Sequence, residues 1–141
     1  MILGCYVVLT GGLTVEAILI SLAPMFLDCN LLLINQIPDM SADRTVGRKH
    51  FPIAFGIRSS IKLYTLFSIA AGMVVVLAVQ TGGLPVLSYL SLIPLLLTVL
   101  VRRGVMQHAD DAEKLVPYMA INVFMTLTTP ILLGVTLIYG A

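Results

Sequence analysis

The stretch LTVEAILISLAPMFLDCNLLLI, residues 13–34, runs directly into NQIPDMSADRTVGRKHFPIAFG, residues 35–56. The first part carries two acids, Glu16 and Asp28, in an otherwise apolar run. At about 1.5 Å per residue it is long enough to cross a hydrocarbon core of about 30 Å. Three further apolar runs occupy 61–80, 84–101 and 117–139. None alternates polar and apolar residues as a membrane strand must, so helices are the spanning structure that satisfies every backbone group. The opening MILGCYVVLTGG lacks the basic start of a signal peptide and is apolar for only about ten residues, too short to span. The chain therefore reads as all-α: a polytopic membrane helix bundle of four full spans plus a partial N-terminal helix.

Composition agrees. Of 141 residues 59% are hydrophobic and 11% charged, against about 25% charged in a soluble domain. Mean hydropathy is +1.05, which excludes an ordinary soluble protein. A formal charge of +1 provides no polybasic field for phosphates, so no nucleic acid is expected as a partner. Cys5 and Cys29 lie in apolar runs with no second cysteine or histidine at metal-binding spacing, and read as small buried apolar side chains. Pro24, Pro94 and Pro130 fall inside spans, where they kink helices, and Pro117 suits a first helical turn.

The connections are of two kinds. Residues 10–14 and 81–85 are short Gly-rich turns, whereas 38–60 and 102–116 are longer and charged. All eight basic residues, Arg44, Arg48, Lys49, Arg58, Lys62, Arg102, Arg103 and Lys114, lie on or next to the side of the charged loops. By the positive-inside rule that side is cytoplasmic. The C-terminal Gly140 and Ala141 then fall on the opposite face. Tyr64 and Tyr118 are expected in the aromatic belts at the membrane interface.

Chemistry concentrates in 35–56. Asn35, Asp39 and Asp43 are spaced by four, which on a helix stacks three oxygen-bearing side chains on one face. Carboxylates and an amide carbonyl are the hard oxygen donors that Mg²⁺ takes, usually alongside water and substrate phosphates. Arg44, Arg48 and Lys49 follow, with Gly47 allowing a tight backbone approach, and cations beside a carboxylate pair suit a diphosphate. Two acids at an apolar helix end add nothing to topology. For Arg58 and Lys62 an orienting role in a basic loop is the simpler reading.

The pattern Asn-xxx-Asp-xxx-Asp-xxx-Gly-Arg-Lys, followed by a short apolar run and Gly56, resembles the second aspartate-rich motif of the UbiA family of intramembrane prenyltransferases. Its Asn-Gln-Ile-Pro-Asp form, the tail Gly-Arg-Lys-His-Phe-Pro-Ile-Ala-Phe-Gly and the Leu-Val-Pro-Tyr opening of the last span are most similar to the 1,4-dihydroxy-2-naphthoate prenyltransferases of menaquinone synthesis. The resemblance covers nearly the whole chain and corresponds to the C-terminal half of the family's nine-helix fold. It implies Mg²⁺-dependent transfer of a polyprenyl group from its diphosphate to an aromatic acceptor, in the cell inner membrane with the motif loop cytoplasmic. Carried over residue by residue, Asp39 and Asp43 are the catalytic, metal-holding carboxylates. Asn35, Arg44, Arg48 and Lys49 bind substrate, and Asp28, within a span, is a further substrate contact.

The family's first aspartate-rich motif has no counterpart here, because the other acids are Glu16, Asp28, Asp110, Asp111 and Glu113. One motif holds half a site. The chain is therefore expected to be a truncated or split half whose N-terminal partner is missing, and inactive in isolation. Other branches of the family, which make haem, chlorophyll, tocopherol or ether lipids, share the same motif. A small membrane carrier or scaffold would instead use Asp28, Asn35, Asp39 and Asp43 as a cation pathway, but the Gly-rich opposite ends continue no such path. His50 and the segment His108-Ala-Asp110-Asp111-Ala-Glu113 read as solvated loop and linker. Asn122 faces either the same cavity or a neighbouring helix.

Overall fold

The computed structural model describes residues 2–140 and is helical throughout. Helix α1 spans Ile2–Thr10, α2 Val15–Asn35, α3 Met40–Thr45, α4 Phe51–Gln80, α5 Thr98–His108 and α6 Ala112–Tyr139, with 3₁₀ segments at Val86–Leu92 and Pro94–Leu97 leading into α5. Four of these are long and apolar enough to cross a membrane: Val15–Asn35, Phe51–Gln80, Val86–His108 and Ala112–Tyr139. They run alternately up and down, so that α2 and α5 end, and α4 and α6 begin, at the end of the bundle that carries the 35–56 motif. At the other end Gly83 lies against Glu16 and Gly140 against Pro85. Gly140 thus sits opposite the motif; Ala141 lies outside the described residues.

Local chemistry explains most boundaries. The Thr14 hydroxyl accepts from the Ala17 amide at 3.2 Å and caps α2. Pro38 cannot donate to Ile34, whose carbonyl instead takes the Ile37 amide at 3.1 Å in a tighter turn, and α2 stops at Asn35. Asp111 caps α6 by accepting from the Lys114 amide at 3.2 Å.

Several expectations from sequence need correction. The charged loop expected over 38–60 contains α3 and the first turns of α4. The segment 51–80 is two helices meeting at Gly56, whose φ of 80° and ψ of 166° are open essentially only to glycine. The loop expected over 102–116 shrinks to residues 109–111, because α5 continues to His108 and α6 starts at Ala112. Pro117 consequently lies inside α6 and not in its first turn. The span expected over 84–101 begins as 3₁₀. Cys5 is exposed rather than buried, and both cysteines are free.

Tyr64 is the largest correction to the interior. It is fully buried, not placed in an interfacial belt. Its hydroxyl donates to Asn122 Oδ1 at 3.0 Å, and Asn122 Nδ2 lies 3.5 Å from the Asn30 carbonyl. Asn30 Nδ2 in turn donates to the Tyr64 carbonyl at 3.1 Å and to Ser68 Oγ at 2.8 Å. This closed circuit ties α2, α4 and α6 together at one level. In lipid there is little hydrophobic drive between helices, so such buried polar pairs, each worth roughly 0.6 kcal/mol and up to about 1.7, fix which faces meet. Asn122 therefore serves an interhelical contact. Close approach supplies the rest: a Cβ on Gly104 of α5 would overlap the Tyr118 ring of α6. Tyr118 is half-buried there, stacked on His108 with ring centroids 6.0 Å apart. The outer surface remains apolar, with Leu66, Leu96, Phe124 and Ile138 all exposed.

Candidate functional site

The spacing of Asn35, Asp39 and Asp43 suggests one continuous helical face, yet the helix breaks between them. Asn35 ends α2, Asp39 precedes α3 and Asp43 lies within it. All three nevertheless line one depression of about 430 Å³, together with Arg48, Lys49 and His50.

The return of the chain explains the convergence. Asp43 is two residues from the end of the six-residue α3, where two hydrogen bonds close a Schellman turn: Gly47 N–H to Arg44 O at 3.2 Å and Arg48 N–H to Asp43 O at 3.0 Å. The turn needs a left-handed residue, and Gly47 supplies it with φ of 75°. The chain then doubles back over Asp43. Arg48 Nη1 pairs with Asp43 Oδ1 at 3.0 Å, and His50 Nε2 lies 3.2 Å from Asp43 Oδ2. Arg48 holds one Asp43 oxygen and His50 lies beside the other, with the Asp43 side chain 15% exposed. Both ring nitrogens of His50 are buried without a well-aligned hydrogen bond. Asp39 and Asn35 are exposed and Lys49 makes no ion pair among the described residues, so their polar ends stay available to a ligand.

Two residues singled out from sequence lie elsewhere. Arg44, on the other face of α3, lines a separate cavity with Ile37, Pro38, Ile57 and Asp110. Asp28 is exposed on α2 and lines a further groove of about 300 Å³ with Pro24, Met25, Cys29 and Leu32 and with Ile2 and Leu3 of α1. Leu32 lines this groove and the motif depression alike. A polar basin and a mainly apolar groove thus lie side by side along α2, with Leu32 between them. His50 is the residue that sequence reasoning passed over. Its signal was local: a turn closed by Gly47 must bring the next few residues back onto Asp43.

Two carboxylates and an amide carbonyl are a suitable donor set for Mg²⁺, and the Asp39 carboxylate has no ion-pair partner among the described residues. Among the described residues no three or more His, Cys, Asp or Glu side chains form a cage for a metal.

The UbiA prenyltransferase family model matches residues 1–137. No curated protein and no solved structure matches the chain.

Proposed function

Because the chain belongs to the UbiA prenyltransferase family, whose members are membrane prenyltransferases, we propose that it binds a polyprenyl diphosphate head-first in the motif depression and directs the prenyl chain along α2. The single observation that supports this reading is that Leu32 lines both the polar basin and the neighbouring apolar groove. A charged head with a long apolar tail is the ligand class that such a pair of cavities suits.

Asp39 and Asp43 would hold Mg²⁺, with the Asn35 carbonyl beside them. Bound Mg²⁺ would neutralise charge that builds on the diphosphate as the allylic C–O bond ionises. Arg48 and Lys49 supply positive charge for the remaining phosphate oxygens. The Arg48 ion pair orients Asp43, with His50 packed beside its other oxygen, so the carboxylate is set before ligand arrives. As the C–O bond breaks, its electron pair leaves with the diphosphate. An aromatic ring carbon of the acceptor then attacks the allylic cation, and the ring regains aromaticity by losing the group on that carbon: a proton taken up by solvent, or carbon dioxide where the carbon carries a carboxylate. The apolar walls around Leu32 and Met25 keep water from the cation.

Asp28, in the apolar groove, is assigned to acceptor contact. The tail from Gly47 to Gly56 favours 1,4-dihydroxy-2-naphthoate as that acceptor, hence menaquinone synthesis, in an inner cell membrane with the motif facing the cytoplasm. The remaining carboxylates, Glu16, Asp110, Asp111 and Glu113, do not line the depression. A second aspartate-rich segment, contributed by an N-terminal partner half, would complete the site. The test is prenyl transfer in membranes carrying this chain together with such a half, with 1,4-dihydroxy-2-naphthoate, 4-hydroxybenzoate and homogentisate offered in parallel. Preference for the naphthoate supports the assignment. Preference for another ring overturns the branch, and loss of transfer on Asp28→Asn with the diphosphate still bound supports acceptor contact.

A further inference from the structure

Apart from the motif basin, three basic residues gather in a groove between α4 and α5. Arg58, Lys62 and Arg102 line a cavity of about 550 Å³ whose other walls include Leu66, Ile69 and Met106. No acid lines it. Among the described residues the ion pairs are Arg48–Asp43, His50–Asp43 and Lys114–Asp111, so none of these three cations has a carboxylate partner. The groove shares no lining residue with the motif basin. An adjoining depression shares Arg102 and Met106 and adds Arg103, extending the positive field along α5.

Order along the helix carries the chemistry. On α4 the residues Arg58, Lys62, Leu66 and Ile69 recur at helical spacing on one face. The charged pair comes first, at the motif end, and the apolar pair follows toward the middle of the span. Leu66 and Ile69 are 59% and 54% exposed, on a helix long and apolar enough to span a bilayer. A small anion would satisfy the cations and leave the apolar walls bare. A neutral lipid would cover the walls and leave the cations uncompensated. An amphiphile with a negatively charged head satisfies both, and the surrounding bilayer supplies one.

We propose that the α4–α5 groove is a binding site for an anionic glycerophospholipid. Its phosphate sits among Arg58, Lys62 and Arg102, and one acyl chain lies along Leu66 and Ile69. This gives Arg58 and Lys62 a specific ligand beyond orienting the chain, and it stands independently of what the motif basin binds.

The test uses the 141-residue chain purified in mild detergent with equal amounts of dioleoylphosphatidylglycerol and dioleoylphosphatidylcholine, with retained lipid counted by native mass spectrometry. Retention of phosphatidylglycerol at least fivefold over phosphatidylcholine is expected. A variant carrying Arg58→Gln, Lys62→Gln and Arg102→Gln should lose that preference, and one carrying Arg44→Gln, Lys49→Gln and Lys114→Gln should keep it. Equal loss in both variants would assign the effect to bulk charge and overturn the site, as would no preference in the native chain. Competition on the unmutated chain removes any dependence on variant folding. Lysophosphatidylglycerol should displace the bound lipid, and inorganic phosphate at the same concentration should not. Displacement by inorganic phosphate, or by farnesyl diphosphate at concentrations that fill the motif basin, would overturn the proposal.

Discussion

His50 Nε2 lies 3.2 Å from Oδ2 of Asp43. With Arg48 on the other carboxylate oxygen at 3.0 Å, Asp43 is clamped between two residues of the segment that folds back over α3. His50→Ala should leave the fold intact and weaken Mg²⁺-dependent diphosphate binding by about 10-fold, the usual lower range for losing a group that orients a metal ligand. Titration calorimetry with farnesyl diphosphate, with and without Mg²⁺, checks this. An unchanged affinity would remove His50 from the site.

Gly47 sets the turn that delivers Arg48 and His50. An alanine there must adopt a left-handed backbone at a cost of about 1–2 kcal/mol. Gly47→Ala should therefore lower both the thermal midpoint and diphosphate affinity. Gly47→Asn, which tolerates that conformation better, should recover most of both.

Arg44 and Lys49 separate basin from neighbourhood. Arg44→Ala should leave diphosphate affinity within about twofold, since Arg44 lines a different cavity, whereas Lys49→Ala should reduce it about 10-fold, the weight of roughly 1.4 kcal/mol for one charge-assisted contact. Equal effects would show that the basin is wider than its lining residues indicate.

The Tyr64 to Asn122 bond predicts a purely structural effect. Tyr64→Phe removes the donor and leaves Asn122 Oδ1 buried and unpaired, costing roughly 1–2 kcal/mol. The thermal midpoint in lipid nanodiscs should fall while diphosphate affinity at low temperature holds. Replacing Asn122 with leucine as well should lose less than the sum of the two single changes.

At the far end of α5, hydrogen bonds from the Lys114 side chain and backbone hold the Asp111 carboxyl below its ordinary value. A depressed carboxylate contributes stability above its unfolded range and loses it as pH falls through the folded value. Asp111→Ala should therefore be less stable than the parent at neutral pH, and the difference should vanish in acid below the usual aspartate range. A difference that persists there would assign the cap to packing instead of charge.

Much of this architecture was legible in the sequence. Apolar runs and the absence of strand alternation place four spanning helices, and Thr14, Pro38 and the Gly-rich turns mark their ends. The one-sided distribution of basic residues fits the arrangement of Arg58, Lys62 and Arg102 around a single groove. What escaped was tertiary. Tyr64 reads as an interfacial tyrosine until Asn122, 58 positions away, supplies a buried acceptor for its hydroxyl. Spacing by four brought Asn35, Asp39 and Asp43 together on paper through a continuous helix. In the fold Pro38 breaks that helix, and Gly47 helps restore the convergence by another route. His50 was missed because a lone histidine in a loop carries no spacing signal of its own.

The central claim is that Asp39 and Asp43 form a Mg²⁺-dependent site for a prenyl diphosphate. The most direct measurement is calorimetric binding of farnesyl diphosphate to the purified 141-residue chain in nanodiscs, with Mg²⁺ and with EDTA, for the parent and for Asp39→Asn with Asp43→Asn. The expected result is saturable binding in Mg²⁺ alone, lost in the double variant while helix content by circular dichroism is unchanged. Binding of equal strength in EDTA, or retained by the folded double variant, would contradict it.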